Sequence, residues 1–77
     1  MVSADETLDC KGLSCPMPIM KLSKKIKELE AGKVLELLAT DPGSKADVPA
    51  WCGKTGNELL DSAEDRGIYK YYIRCNK

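Results

Sequence analysis

The stretch CPMPIMKLSKKIKELEAGKVLELLATDPG, residues 15–43, decides the fold of this chain. Within it Ile19, Leu22, Ile26 and Leu29 recur at spacings of three, four and three, with lysines falling between them. That stripe predicts an amphipathic helix running from Pro16, with Gly32 stopping it as a C-terminal cap. Val34 to Thr40 follows at once, short and apolar apart from Glu36, and Asp41-Pro42-Gly43 closes it. Such a segment reads as a central strand followed by a turn.

Working outward on the N-terminal side, Glu6 to Cys10 reads as a short first strand ended by Lys11-Gly12. On the C-terminal side Ser44 opens a second helix, with Asp47 three residues on in the manner of a capping box. Val48, Trp51, Cys52 and Thr55 share one face of it, and Gly56 ends it. Pro49 removes a backbone donor after the first turn, so an irregular turn or slight kink is expected there. Asn57 to Glu64 and Ile68 to Cys75 read as strands joined by a three-residue hairpin loop, Asp65-Arg66-Gly67, with the glycine left-handed. The order β-α-β-α-β-β predicts an α+β fold, a two-layer sandwich with two helices on one face of a four-stranded mixed sheet. The other face, with Glu36, Thr40 and the charged hairpin residues, is expected to meet water.

A chain of 77 residues predicts one domain spanning 1–77, with a shallow core and little room for a deep pocket. Its chemistry should sit at the surface and be shared with a partner. Twelve basic and twelve acidic residues cancel, which argues against nucleic acid as the main ligand. Residues 10–30 nevertheless hold Lys11, Lys21, Lys24, Lys25 and Lys27 against Glu28 and Glu30, either a solvated helix face or a docking surface for an acidic partner. No apolar run approaches the roughly 20 residues that span a bilayer, and no signal peptide is visible, so a cytoplasmic monomer without membrane association is expected. Thiols stay reduced there, and a disulfide scaffold from Cys10, Cys15, Cys52 and Cys75 is not expected. Paired C-x-x-C spacing is absent, which disfavours zinc.

The segment Cys15-Pro16-Met17-Pro18 joins the first strand to the first helix. Proline at the first helical position costs no hydrogen bond, and it pushes the residue before it into an extended conformation suited to a cap. Cys15 is thereby expected at the positive end of the helix dipole, with the Met17 N–H as its nearest backbone donor. The dipole would lower the thiol from about 8.5 to about 7–8, leaving a nucleophilic thiolate free to accept and return sulfur as a persulfide. The chain has no histidine, which weakens Cys–His catalysis as a competing reading. The alternative is a small RNA- or protein-binding regulatory module in which Cys15 merely caps a helix.

Leu8-Asp9, Gly12-Leu13, Cys15-Pro16, Pro18 and Thr40-Asp41-Pro42-Gly43-Ser44, continuing through Asp47-Val48-Pro49, Cys52, Glu58-Leu59, Tyr71, Ile73 and Arg74, resemble the TusA or SirA-like family over nearly the whole chain. The resemblance implies the same two-layer sandwich and a sulfur carrier needing no cofactor or metal. It implies that Cys15 receives sulfane sulfur from a cysteine desulfurase or a rhodanese-like donor. The sulfur then passes to a further carrier, for tRNA thiolation, molybdenum-cofactor biosynthesis or sulfur oxidation. Gly12, Pro16, Met17 and Pro18 form the supporting motif, and Lys21, Lys24, Lys25 and Asp41 are candidates for docking. Cys52 is expected in the core, Trp51 as a packing residue and Asp41 as part of a turn. Cys10 and Cys75 have no assigned role, although a resolving Cys10–Cys15 disulfide is conceivable from their separation.

Overall fold

The computed structural model describes residues 3–14 and 16–76. Its elements run β1 (Glu6–Cys10), α1 (Met17–Glu28), β2 (Val34–Ala39), α2 (Ser44–Thr55), β3 (Glu58–Asp65) and β4 (Ile68–Arg74). The strands form one sheet in the order β1-β2-β4-β3. β1 and β2 are parallel, from Glu6 opposite Leu35 to Cys10 opposite Ala39, and the other two pairings are antiparallel. This is the expected mixed sheet with β2 inside it. The short apolar run from Val34 is central because it has neighbours on both edges.

Alternation along the central strands sets the two faces. Leu35, Leu37 and Ala39 of β2 and Tyr71 and Ile73 of β4 point into the core. There they meet Leu22, Ile26 and Leu29 from the first helical segment and Val48, Trp51 and Cys52 from α2. Ile19 packs at the margin. On the opposite face Glu36 accepts hydrogen bonds from the Thr7 hydroxyl (3.1 Å) and the Tyr72 hydroxyl (2.8 Å). A carboxylate in an inner strand is thus satisfied by its neighbours on both sides.

Local chemistry departs from expectation at four points. Gly32 does not cap α1, because Leu29 already leaves the helix in an extended conformation with its N–H on the Ile26 carbonyl. Gly32 instead takes φ +90° in the turn to β2, and its N–H reaches the Cys75 carbonyl at 2.8 Å. Ser44 is the first residue of α2 and makes no cap. Its side chain is buried and shares a 2.7 Å hydrogen bond with the Tyr71 hydroxyl, so the hydroxyl is spent on the sheet. The hairpin loop has two residues: Asp65 pairs with Ile68, while Arg66 and Gly67 both take positive φ, 52° and 80°. That is the geometry that matches strand twist. Finally, Thr55 is exposed rather than on the buried face with Val48, Trp51 and Cys52, its hydroxyl donating to the Trp51 carbonyl (2.8 Å). α2 includes Pro49, which is exposed, and Gly56 ends the helix at φ 82° as expected.

Candidate functional site

Parallel pairing brings the carboxyl ends of β1 and β2 to one edge of the sheet, and both helices begin there. Loops at such an edge are where α/β units present their chemistry. The loop after β1 is held at three points. The Lys11 N–H donates to the Asp9 carboxylate (2.9 Å), the Leu13 N–H to the Cys10 carbonyl (3.2 Å), and the Gly12 N–H to the Thr40 hydroxyl (2.9 Å). Gly12 has φ +82°, a conformation that disfavours any side chain, which explains glycine at this motif position.

Pro16 stands at the N-cap of α1 with φ −96° and ψ 12°, followed by Met17 and then Pro18. The helix therefore begins one residue later than expected. The cause is a tight turn in which the Met17 N–H donates to the Ser14 carbonyl at 2.9 Å. The Met20 N–H then donates to the Pro16 carbonyl at 3.0 Å. The backbone donor expected to face the sulfur is already engaged. Pro18 still costs no helical hydrogen bond, because it lies in the first turn. Cys15, with the expectation that it caps this helix or pairs with Cys10, lies outside the described residues. Its neighbours Ser14, Pro16 and Met17 are exposed.

The three described thiols are all free and all buried. Burial raises the Cys10 pKa, an effect partly offset by the charge of Lys21. Burial alone pushes Cys52 up to about 11. Cys52 sits in the core beside Trp51, as expected, which explains its identity through packing. The Cys75 thiol lies 3.6 Å from the Ile26 carbonyl and 3.9 Å from that of Leu29, and serves the C-terminal end of the first helix. Sequence position alone gave this cysteine no role. Its partner carbonyls lie 49 and 46 residues away.

The candidate docking residues fall on two separate flanks of α1. Asp41 stands with Pro18, Ile19, Ser44 and Asp47 in a small cleft between the two helix starts. Its side chain accepts the Gly43 N–H (3.2 Å) and its carbonyl the Ser44 N–H (3.0 Å), the expected turn chemistry. Lys21, Lys24 and Lys25 lie on the other flank, with Leu8 and Glu28 around a depression of about 180 Å³. Lys25 is 2.9 Å from the Glu6 carboxylate, whose hydrogen bond and charge raise the Lys25 pKa. Lys21 and Lys24 are exposed.

Two features at the motif had no place in the sequence reading: the exposure of Met20 alongside the motif's Met17, and a groove between the helices. Met17 and Met20 are the exposed large apolar side chains among the described residues, at 41% and 59%. Both fall off the Ile19–Leu22–Ile26 stripe, a signal present in the sequence. A groove of about 320 Å³ also runs between the helices, lined by Pro16, Ile19, Asp47, Ala50, Trp51 and Lys54. Trp51 is fixed there by its indole N–H, which donates to the Ser23 hydroxyl at 2.9 Å. No helix among the described residues is long and apolar enough to cross a membrane.

Comparison with known proteins bears on this edge of the molecule. Residues 6–75 match the family described as "Sulfurtransferase TusA". A sulfur carrier protein TusA from Pseudomonas entomophila is 50% identical over 70 residues, covering 91% of this chain and 88% of its own. The protein of that name from Pseudomonas aeruginosa is 43% identical over 72 residues, covering 94% and 91%. Among solved structures, a SirA-like protein from Desulfitobacterium hafniense superposes with a TM-score of 0.81 at 26% identity. That match covers 94% of this chain and 99% of the other.

Proposed function

Because this chain belongs to the sulfurtransferase TusA family, we propose that it carries sulfur as a persulfide on Cys15 between a donor and an acceptor protein. The sulfur-carrier role itself follows from family membership. The observation that supports Cys15 as the carrier atom is the burial of the other three thiols, at 0%, 4% and 1% exposure for Cys10, Cys52 and Cys75. A thiol enclosed in a core is out of reach of a partner's persulfide, and burial also raises Cys10 and Cys52, which holds those two protonated. Cys15 instead precedes a helix start whose flanking residues are in solvent.

The exchange conserves atoms and electrons. The Cys15 thiolate attacks the outer sulfur of a donor persulfide, R–S–SH, and forms a new S–S bond as the donor's own S–S bond breaks. The donor leaves as the thiolate RS⁻, and Cys15 holds –S–SH, which ionises to –S–S⁻. An acceptor thiolate then repeats the attack on that outer sulfur. Sulfur moves at constant oxidation level, so no external oxidant or reductant enters. A cysteine desulfurase or rhodanese-like protein is the proposed donor, a further carrier is the acceptor, and a reducing compartment such as the cytoplasm suits a monomer with unpaired thiols.

Incubation with glutathione persulfide, then whole-protein mass and peptide mapping, tests this reading. The expected result is one added sulfur atom on Cys15, released by dithiothreitol and lost in C15S. Sulfur carried on Cys10, Cys52 or Cys75, or loading that survives C15S, would overturn it.

A further inference from the structure

Met17, Met20, Lys21 and Lys24 occupy successive i, i+3, i+4 and i+7 positions, so they form one continuous line along α1. All four are exposed, and the first turn of the helix contains no acidic residue. Two apolar side chains lie nearest the motif and two ammonium groups one turn beyond. Every other large apolar side chain among the described residues is at least partly covered. The neighbouring Lys25 is tied to Glu6 and fixes the boundary of the line on the β1 side.

We propose that this line is the docking surface for the protein partners of the carrier, and that it selects a partner face with an apolar patch beside a group of carboxylates. The inference rests on the sulfur-carrier reading and adds the chemistry of the partner. Charge complementarity argues for it. Lys21 and Lys24 are exposed and follow a first turn that holds no acidic residue, with Glu28 lining the far side of their depression. Two such ammonium groups attract carboxylates and speed encounter. The methionines argue for a surface used more than once. A carrier presents one sulfur to a donor and later to an acceptor, and two unlike partner surfaces must pack on the same ground. Unbranched, polarisable methionine side chains re-pack against different shapes, which branched residues do not.

Two double variants, K21E/K24E and M17S/M20S, test this against two sulfur sources. One source is a cysteine desulfurase that loads the unchanged chain from cysteine, and the other is glutathione persulfide. All four positions are exposed, so folding should survive, which circular dichroism checks. With the desulfurase, K21E/K24E should load about ten- to a hundredfold more slowly at low salt and lose the salt dependence of the parent. M17S/M20S should load about tenfold more slowly at every salt concentration. With glutathione persulfide K21E/K24E and the single variant M20S, which leaves the motif intact, should load at the parental rate. An unchanged desulfurase rate would overturn the docking inference and leave the carrier reading intact. Slowing of K21E/K24E or M20S with both sources would also overturn it, by assigning these residues to the sulfur chemistry itself. A parent dimer on sedimentation that M17S/M20S dissociates would give the surface to a second copy instead, and RNA retention abolished by K21E/K24E would give it to nucleic acid. Failure of the parent to load Cys15 from glutathione persulfide would instead sink the carrier reading.

Discussion

Of the three bonds that hold the loop after β1, one reaches a side chain of another element: Thr40 accepts the Gly12 N–H across 28 residues. T40V keeps the shape of the side chain and removes the acceptor. Global stability should change by only about 0.5–1.5 kcal/mol, the usual net value of one hydrogen bond. The Gly12 amide, however, should exchange faster by NMR, and sulfur loading should slow as the loop loses its anchor. Unaltered Gly12 exchange would mean that the bond does not restrain the loop. Thiol reactivity is the second matter at this scale. Iodoacetamide at neutral pH should label Cys15 rapidly, and Cys10, Cys52 and Cys75 should react about a hundredfold more slowly or only on unfolding. Time-resolved peptide mass spectrometry reads the four rates separately, and rapid labelling of Cys52 in the native state would contradict its place in the core.

Between elements, the Ser44–Tyr71 pair joins the start of α2 to β4 inside the core. S44A leaves the Tyr71 hydroxyl buried without its partner and should cost about 1–3 kcal/mol in urea unfolding. Adding Y71F removes the stranded hydroxyl, so the double variant should cost less than the sum of the singles. Strict additivity would mean that the hydroxyls do not stabilise one another. This pair also marks where legibility ended. The helical stripe from Ile19 to Leu29 and the apolar run from Val34 are local patterns, and they gave the element order and the layering. Ser44 looks the same in sequence whether it caps a helix or bonds a tyrosine 27 residues away. The start of α1 was misplaced by one residue because a turn closing on Ser14 competes with the helical ladder, and propensity does not rank the two. The motif was readable as a candidate site. Met20 has no place in that reading because it lies off the buried stripe, and Met17 reads only as part of the motif.

For the whole molecule, burial of thiols makes stability depend on pH at the alkaline end. Cys52 is raised from 9.0 to about 11, and Cys10 and Tyr71 are raised too, each chiefly by burial. Above pH 9 the unfolded chain releases the Cys52 proton while the folded chain retains it, so unfolding becomes more favourable as pH rises. Stability should be flat from neutrality to about pH 8 and then fall steadily between about pH 9 and 11. C52A should lower stability at neutral pH through the lost packing and flatten that alkaline decline. Urea midpoints at half-unit pH intervals check both, and a decline of equal slope in C52A would remove Cys52 as its cause.

The chain has one tryptophan, and it lines the groove that Pro16 borders, its indole clamped to Ser23 on the facing helix. Nature has thereby installed an optical gauge in the seam between the two coils. Emission from this lone indole, excited at wavelengths the three tyrosines do not absorb, will register whatever enters that seam or pries it apart, so arrival of a partner at the motif can be timed by stopped flow without attaching any dye.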